Sequence, residues 1–154
     1  MPASDCLLCR PGNPLKTLWS NRKLRVVDAA EAGFPGFTRV IWNEHIAEMS
    51  DLDGADRDYL MNAVWLVEAA LRNELMPQKV NLAQFGNQVP HLHWHVIPRW
   101  PLDSRFPQAF WAPPVERSPE QVLAWDVFQE QLENRLPDYW HTLRHALDTL
   151  PPSV

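Results

Sequence analysis

The chain of 154 residues contains no apolar stretch of the length a membrane-spanning helix needs, about 20 residues. Its opening residues, MPASDCLLCR, lack the charged-then-apolar layout of a secretory signal. There are only two cysteines, Cys6 and Cys9, too few for a disulfide framework, so the reducing cytoplasm is the expected compartment. No long basic run is present and the net charge is −5, which argues against nucleic acid as the principal partner. A small anionic substrate is compatible with that balance, because donors close to a ligand outweigh global charge. No internal repeat or low-complexity tract interrupts the chain.

What is there has the composition of an ordinary globular protein, 45% hydrophobic and 21% charged, enough for a core without staples. A single domain over residues 1–154 is expected, with a core of about residues 5–100 followed by a proline-rich segment and C-terminal helices over 101–154. Lys23 to Asp28 (KLRVVD) and Phe37 to Trp42 (FTRVIW) read as strands joined by a wide, turn-rich loop. Leu60, Val64, Val67 and Leu71 then mark one apolar face of a helix, capped by Asp51 or Asp53 and stopped by Pro77. Lys79 to Gln84 (KVNLAQ) and the segment PHLHWHVIP form a second expected hairpin around the turn FGNQ. Ser118-Pro119-Glu120-Gln121 has the form of a helix start, and Pro137 is expected to break that helix, with a short one following through Leu147. The fold class is α+β on an antiparallel sheet of about five strands.

The chemistry concentrates in residues 90–98. His91, His93 and His95 alternate with Leu92, Trp94 and Val96 between two prolines. Alternation with a period of two places the imidazoles on one strand face, roughly 7 Å apart, and the apolar side chains on the other. Three readings follow. The histidines could ligate a metal, although no acidic residue stands beside the row to complete a site. One could attack phosphorus and carry the transferred group as a phosphohistidine. The row could also be purely structural. Just upstream, Gly86 permits close backbone approach and Asn87 and Gln88 supply amide donors. His141 and His145, one helical turn apart, read as a solvated or packed face.

The stretch HLHWHVI fits His-φ-His-φ-His-φ-φ, with φ apolar, and resembles the histidine triad (HIT) family. An Asp-ending strand, PGFTRVIWNEHIAEM, the amphipathic helix and VN…GNQVPH follow in the order of that family from about residue 5 to 100. The closest likeness is to bacterial HIT hydrolases of the diadenosine tetraphosphate hydrolase type. The resemblance implies a HIT-like fold, a homodimer, and cleavage or transfer at the α-phosphate of a nucleotide such as a dinucleoside polyphosphate or nucleoside phosphoramidate. By position, His93 would be the nucleophile that forms a nucleotidyl-histidine, and His95 would contact phosphate and assist the leaving group. Asn81, Gly86 and Gln88 match phosphate-contacting positions. Asp28 matches the ribose-binding residue if the loop carries one extra residue, and Leu7 and Leu8 fall where apolar residues touch the base. WNEH stands where P-K-x-H is usual, removing a lysine, and Trp94 is bulky for its place. A transferase of the galactose-1-phosphate uridylyltransferase type and a nucleotide-binding protein with vestigial activity are the alternatives.

Cys6-Leu7-Leu8-Cys9 has the spacing of a zinc ligand pair. His45 and His91 are candidates to complete it, and relatives that keep the cysteine pair bind structural zinc at the matching four positions. Two free buried thiols or a redox pair are the other readings, the latter disfavoured because no thioredoxin-like strand precedes the motif.

Overall fold

The computed structural model describes residues 2–152. Five strands, β1 (Thr17–Ser20), β2 (Leu24–Asp28), β3 (Thr38–Trp42), β4 (Lys79–Gln84) and β5 (His93–Arg99), form one antiparallel sheet in the order β1-β2-β3-β5-β4. Two helices, α1 (Gly54–Leu75) and α2 (Pro119–Leu147), pack on one face of the sheet and against each other. The main apolar cluster runs from Leu18 on β1 to Leu147 at the end of α2 and joins Leu24, Val26, Val40 and Val96 to Leu60, Val64, Val67 and Leu71, and a smaller one gathers Ala29, Phe34, Phe37, Ile97 and Phe110. The histidine face of the sheet is left for the site.

Local chemistry explains the element ends. Asp53, not Asp51, caps α1, accepting from the Asp56 N–H at 2.8 Å. Met76 closes the helix in the left-handed region and Pro77 follows. Gly36 allows the turn before β3 to press on the last turn of α1. Its φ is +85°, and a Cβ there would lie 2.6 Å from Leu75 Cδ1.

One strand and one helix run farther than their prolines suggest. β5 continues through Pro98 to Arg99. Pairing with β3 ends at Val96, opposite Thr38, so Pro98 has only β4 beside it, at Val80, and its missing donor is tolerated there. Pro137 was expected to break the last helix, but α2 runs unbroken from Pro119 to Leu147. The proline removes one helical hydrogen bond. Packing outweighs that loss: Leu132, Leu136, Tyr139, Leu143 and Leu147 face the core, the Tyr139 hydroxyl meets Thr38 Oγ1 at 2.7 Å, and Arg135 and Thr142 bond to Glu74 of α1. The four-residue edge strand β1 carries too short a pattern to be read from sequence and was not assigned to particular residues.

Candidate active site and metal centre

Alternation along β5 sorts its side chains. Leu92, just before the strand, and Val96 are buried in the core, and the Trp94 indole N–H points to Met49 Sδ at 3.4 Å. His93 and His95 turn to the opposite face, with ring centroids 4.8 Å apart, closer than the strand repeat because the rings lean together edge to face. His91 precedes the ladder. The Leu92 N–H bonds to Ile46 O and the Leu92 carbonyl accepts from the Trp42 N–H, and His91 lies beyond this pairing, turned toward the N-terminal segment.

Each imidazole has its own state. His93 Nδ1 lies 2.5 Å from the His91 carbonyl oxygen, an acceptor, so Nδ1 carries the proton and Nε2 keeps its lone pair. Burial lowers the His93 pKa below the ordinary histidine value; the backbone bond opposes this and Arg39 adds to it. His95 is enclosed by the rings of Phe37, His93 and Trp111, with Phe85 farther off, and its Nδ1 has no partner. Burial, helped by His93 and Arg39, pushes its pKa down to about 3. Both groups are therefore neutral at pH 7.

The two histidines open into a cavity of about 1070 Å³. One wall is the N-terminal segment from Leu7 to Leu15, a second is the turn from Phe85 to Val89, and Ala109 and Trp111 close a third. Gly86 holds a φ of +109°, which favours glycine, and a Cβ there would come within 3.4 Å of the Val89 carbonyl oxygen. Leu7, Leu8, Gly86, Asn87, Gln88, His93 and His95, singled out in the sequence, all line this cavity. Two other expected residues do not. Asn81 shares the histidine face of the sheet, two positions from Ala83, which pairs with His95, but its side-chain oxygen accepts from Arg99 at 3.0 Å. Asp28 ends β2 opposite Thr38, and its carboxylate accepts from the Ala30 N–H at 3.0 Å. Its charge also raises the pKa of buried Tyr139, a smaller effect than that of burial itself.

Sequence reading missed Arg39, Phe85 and Trp111. Arg39 had a signal: it is the one charged residue in the expected strand FTRVIW, on the face opposite Val40. Trp111 lies in the irregular proline-rich stretch, where no periodicity points to a partner.

A second cluster sits where the N-terminal segment meets the sheet. The Cys9 and Arg10 N–H groups both bond to the Cys6 carbonyl, at 3.0 and 3.2 Å, folding the cysteine pair into a tight turn. Cys6 Sγ lies 3.5 Å from His91 Nδ1, and Cys9 Sγ lies 3.3 Å from His91 Nδ1 and 3.4 Å from His45 Nδ1. The two Nδ1 atoms are 3.3 Å apart, and all four potential ligand atoms fall within 4.8 Å of one another. A tetrahedral ion bound at about 2.0–2.3 Å separates its ligand atoms by about 3.3–3.8 Å, so the donor set fits such an ion. The tautomer fits as well. His91 Nε2–H donates to the Trp42 carbonyl at 2.6 Å, leaving the Nδ1 lone pair facing the sulfurs. Without a cation, burial and the neighbouring Cys6 raise the Cys9 pKa, a cost that a bound cation would reverse.

Comparison with known proteins agrees with this architecture. A model of the HIT domain matches residues 11–102, leaving the cysteine pair and α2 outside the match. A histidine triad protein from Bradyrhizobium japonicum superposes with a TM-score of 0.60 at 24% identity, covering 77% of this chain and 90% of that one. A HIT family member from Bacillus subtilis gives 0.60 at 22% identity, over 82% and 96%. A zinc-bound histidine triad family protein from Mycobacterium smegmatis gives 0.56 at 17% identity, over 97% of each chain. None of the curated proteins matches. With the domain match spanning more than half of its length and the histidine row opening into the cavity, the chain belongs to the HIT family.

Proposed function

We propose that the protein is a nucleotide hydrolase or transferase that attacks the α-phosphate of its substrate through His93. The observation that carries this reading is the state of His93: a neutral imidazole with its proton held at Nδ1 by a backbone carbonyl, at the wall of a cavity lined, among the described residues, by no carboxylate. Its Nε2 lone pair forms a bond to phosphorus while the bond from phosphorus to the leaving group breaks, and the leaving group departs with that electron pair. His95 lies beside it to contact phosphate and assist departure. Water or a second acceptor then breaks the phosphorus–nitrogen bond and regenerates the imidazole. Gly86 lets the turn backbone approach the phosphate, Gln88 supplies an amide donor at the cavity wall, and Leu7 and Leu8 offer an apolar wall to the base. Asn81, held by Arg99 outside the cavity lining, would have to turn its amide toward the phosphate to donate. Asp28 would need its loop to turn toward the cavity to reach a ribose hydroxyl.

Zinc suits Cys6, Cys9, His45 and His91, two thiolates and two imidazoles that fill a tetrahedron. A site closed by four protein ligands presents no open position to substrate, so its part is structural. A zinc-bound relative in the same family supports that choice of metal.

The test is His93→Ala assayed on dinucleoside polyphosphates and nucleoside phosphoramidates, with mass spectrometry of the parent quenched in denaturant at alkaline pH, where a phosphorus–nitrogen bond to histidine survives. The expected result is a rate loss of several orders of magnitude with nucleotide binding retained, and a nucleotidyl adduct on His93. Turnover by the variant within tenfold of the parent would overturn the assignment.

A further inference from the structure

Arg39 stands directly opposite His95 across the β3–β5 pairing and lines the same cavity. A cross-strand pair on one face brings side chains into contact range, and the charge of Arg39 is felt at both His93 and His95. The guanidinium is poorly used. Its Nε is buried without a partner, its Cζ lies 5.6 Å from the centroid of the Phe37 ring, and its Nη2 makes one long contact, 3.3 Å, to Glu31, a half-exposed carboxylate that water screens. Among the described residues, no aspartate or glutamate lines the cavity to claim it. Arg10, at the other wall, is exposed, so Arg39 is the partly buried cation of the site.

We infer that Arg39 is a specificity-determining residue that binds a second, non-reacting phosphate of the substrate, next to the one that His93 attacks. This rests on the proposed nucleotide reading of the cavity and narrows it. A site that only took a nucleoside phosphoramidate would meet one phosphate, whose free oxygens His95 and the 86–88 turn already face, so an additional guanidinium fork would be redundant there. A polyphosphate chain presents one, and an arginine meets phosphate with two parallel bonds. Glu31 holds the guanidinium in place until the phosphate replaces it.

Binding of AMP and ADP to the non-reacting His93→Ala protein, without divalent cations, tests this by calorimetry, with GMP and GDP in parallel. The His93→Ala protein should bind the diphosphate about tenfold more tightly than the monophosphate. Adding Arg39→Gln should erase that difference while changing monophosphate affinity less than about threefold, and Arg39→Lys should restore part of it. Glu31→Gln, which keeps Arg39 and is remote from the core, should tighten diphosphate binding alone. Equal weakening of both ligands by Arg39→Gln, no mono- to diphosphate difference, or a Glu31→Gln variant that weakens the diphosphate overturns the inference. A preserved difference in a protein that turns over no nucleotide would sink the catalytic proposal and leave this one standing.

Discussion

His95 shows how one buried side chain couples stability to chemistry. Its surroundings hold the imidazole pKa at about 3, against an ordinary value near 6.5. Between those values the unfolded chain takes up a proton that the folded chain refuses. The stability owed to keeping His95 neutral is therefore complete above about pH 6.5 and is lost as pH falls toward 3, at up to about 1.4 kcal/mol per pH unit. The melting temperature should decline over this window, and His95→Asn, which cannot titrate, should flatten the decline. Parallel curves for the two proteins would place the titrating group elsewhere. In the proposed reaction, an arriving phosphate anion would raise the pKa of the same imidazole and so prepare His95 to move a proton.

At the scale of elements, the segment between β5 and α2 has no regular structure but is tightly held. Buried Arg99 and Asp103 form two bonds at 2.8 and 3.1 Å, and the Asp103 carboxylate also accepts from the N–H groups of Trp100, Arg105 and Phe106. Arg117 bonds to the carbonyls of Pro101, Asp103 and Phe106 from the far end. This knot carries Trp111 to the cavity wall, with the Phe110 ring packed edge-on against it. Asp103→Ala leaves the Arg99 guanidinium buried without a counter-ion, holding only its bond to the Asn81 amide oxygen, and should cost about 3–5 kcal/mol in chemical denaturation. A cost under about 1 kcal/mol would mean that water reaches Arg99 freely. Such knots are hard to read from sequence. Strands β2 to β5 and α1 were legible because their apolar periods are long and regular. The 101–117 segment is built from side-chain to backbone bonds without a period, and Trp111 was missed with it. Pro137 misled for a related reason: a local penalty was visible, whereas the Leu132-to-Leu147 face that overrides it depends on the sheet and α1 lying beneath it.

Over the whole molecule, Cys6, Cys9, His45 and His91 join the N-terminal segment to the ends of both hairpins, and the residues just after the cysteines form a wall of the cavity. The cysteine pair was legible because ligand spacing is a local signal, and His45 and His91 were candidates whose match to zinc-binding positions came from the family resemblance. Arg39 shows the limit of that legibility: its pairing with His95 appears only when β3 and β5, more than 50 residues apart in the chain, lie side by side. The metal should therefore act on architecture first. Protein purified without chelator should carry close to one zinc per chain, and Cys6→Ser should lower that content. Removing the metal leaves two thiols and two imidazoles crowded together, and a loss of about 3 kcal/mol would lower the melting temperature by about 6–12 °C. Acid should release it, since thiolate and neutral imidazole both take up protons as pH falls. The rate per folded molecule should drop less than the folded fraction does, because no ligand of the metal is left to touch substrate. A chain that is metal-free yet melts unchanged would show that packing alone holds the N-terminal segment, with His91 reduced to orienting His93 through its carbonyl.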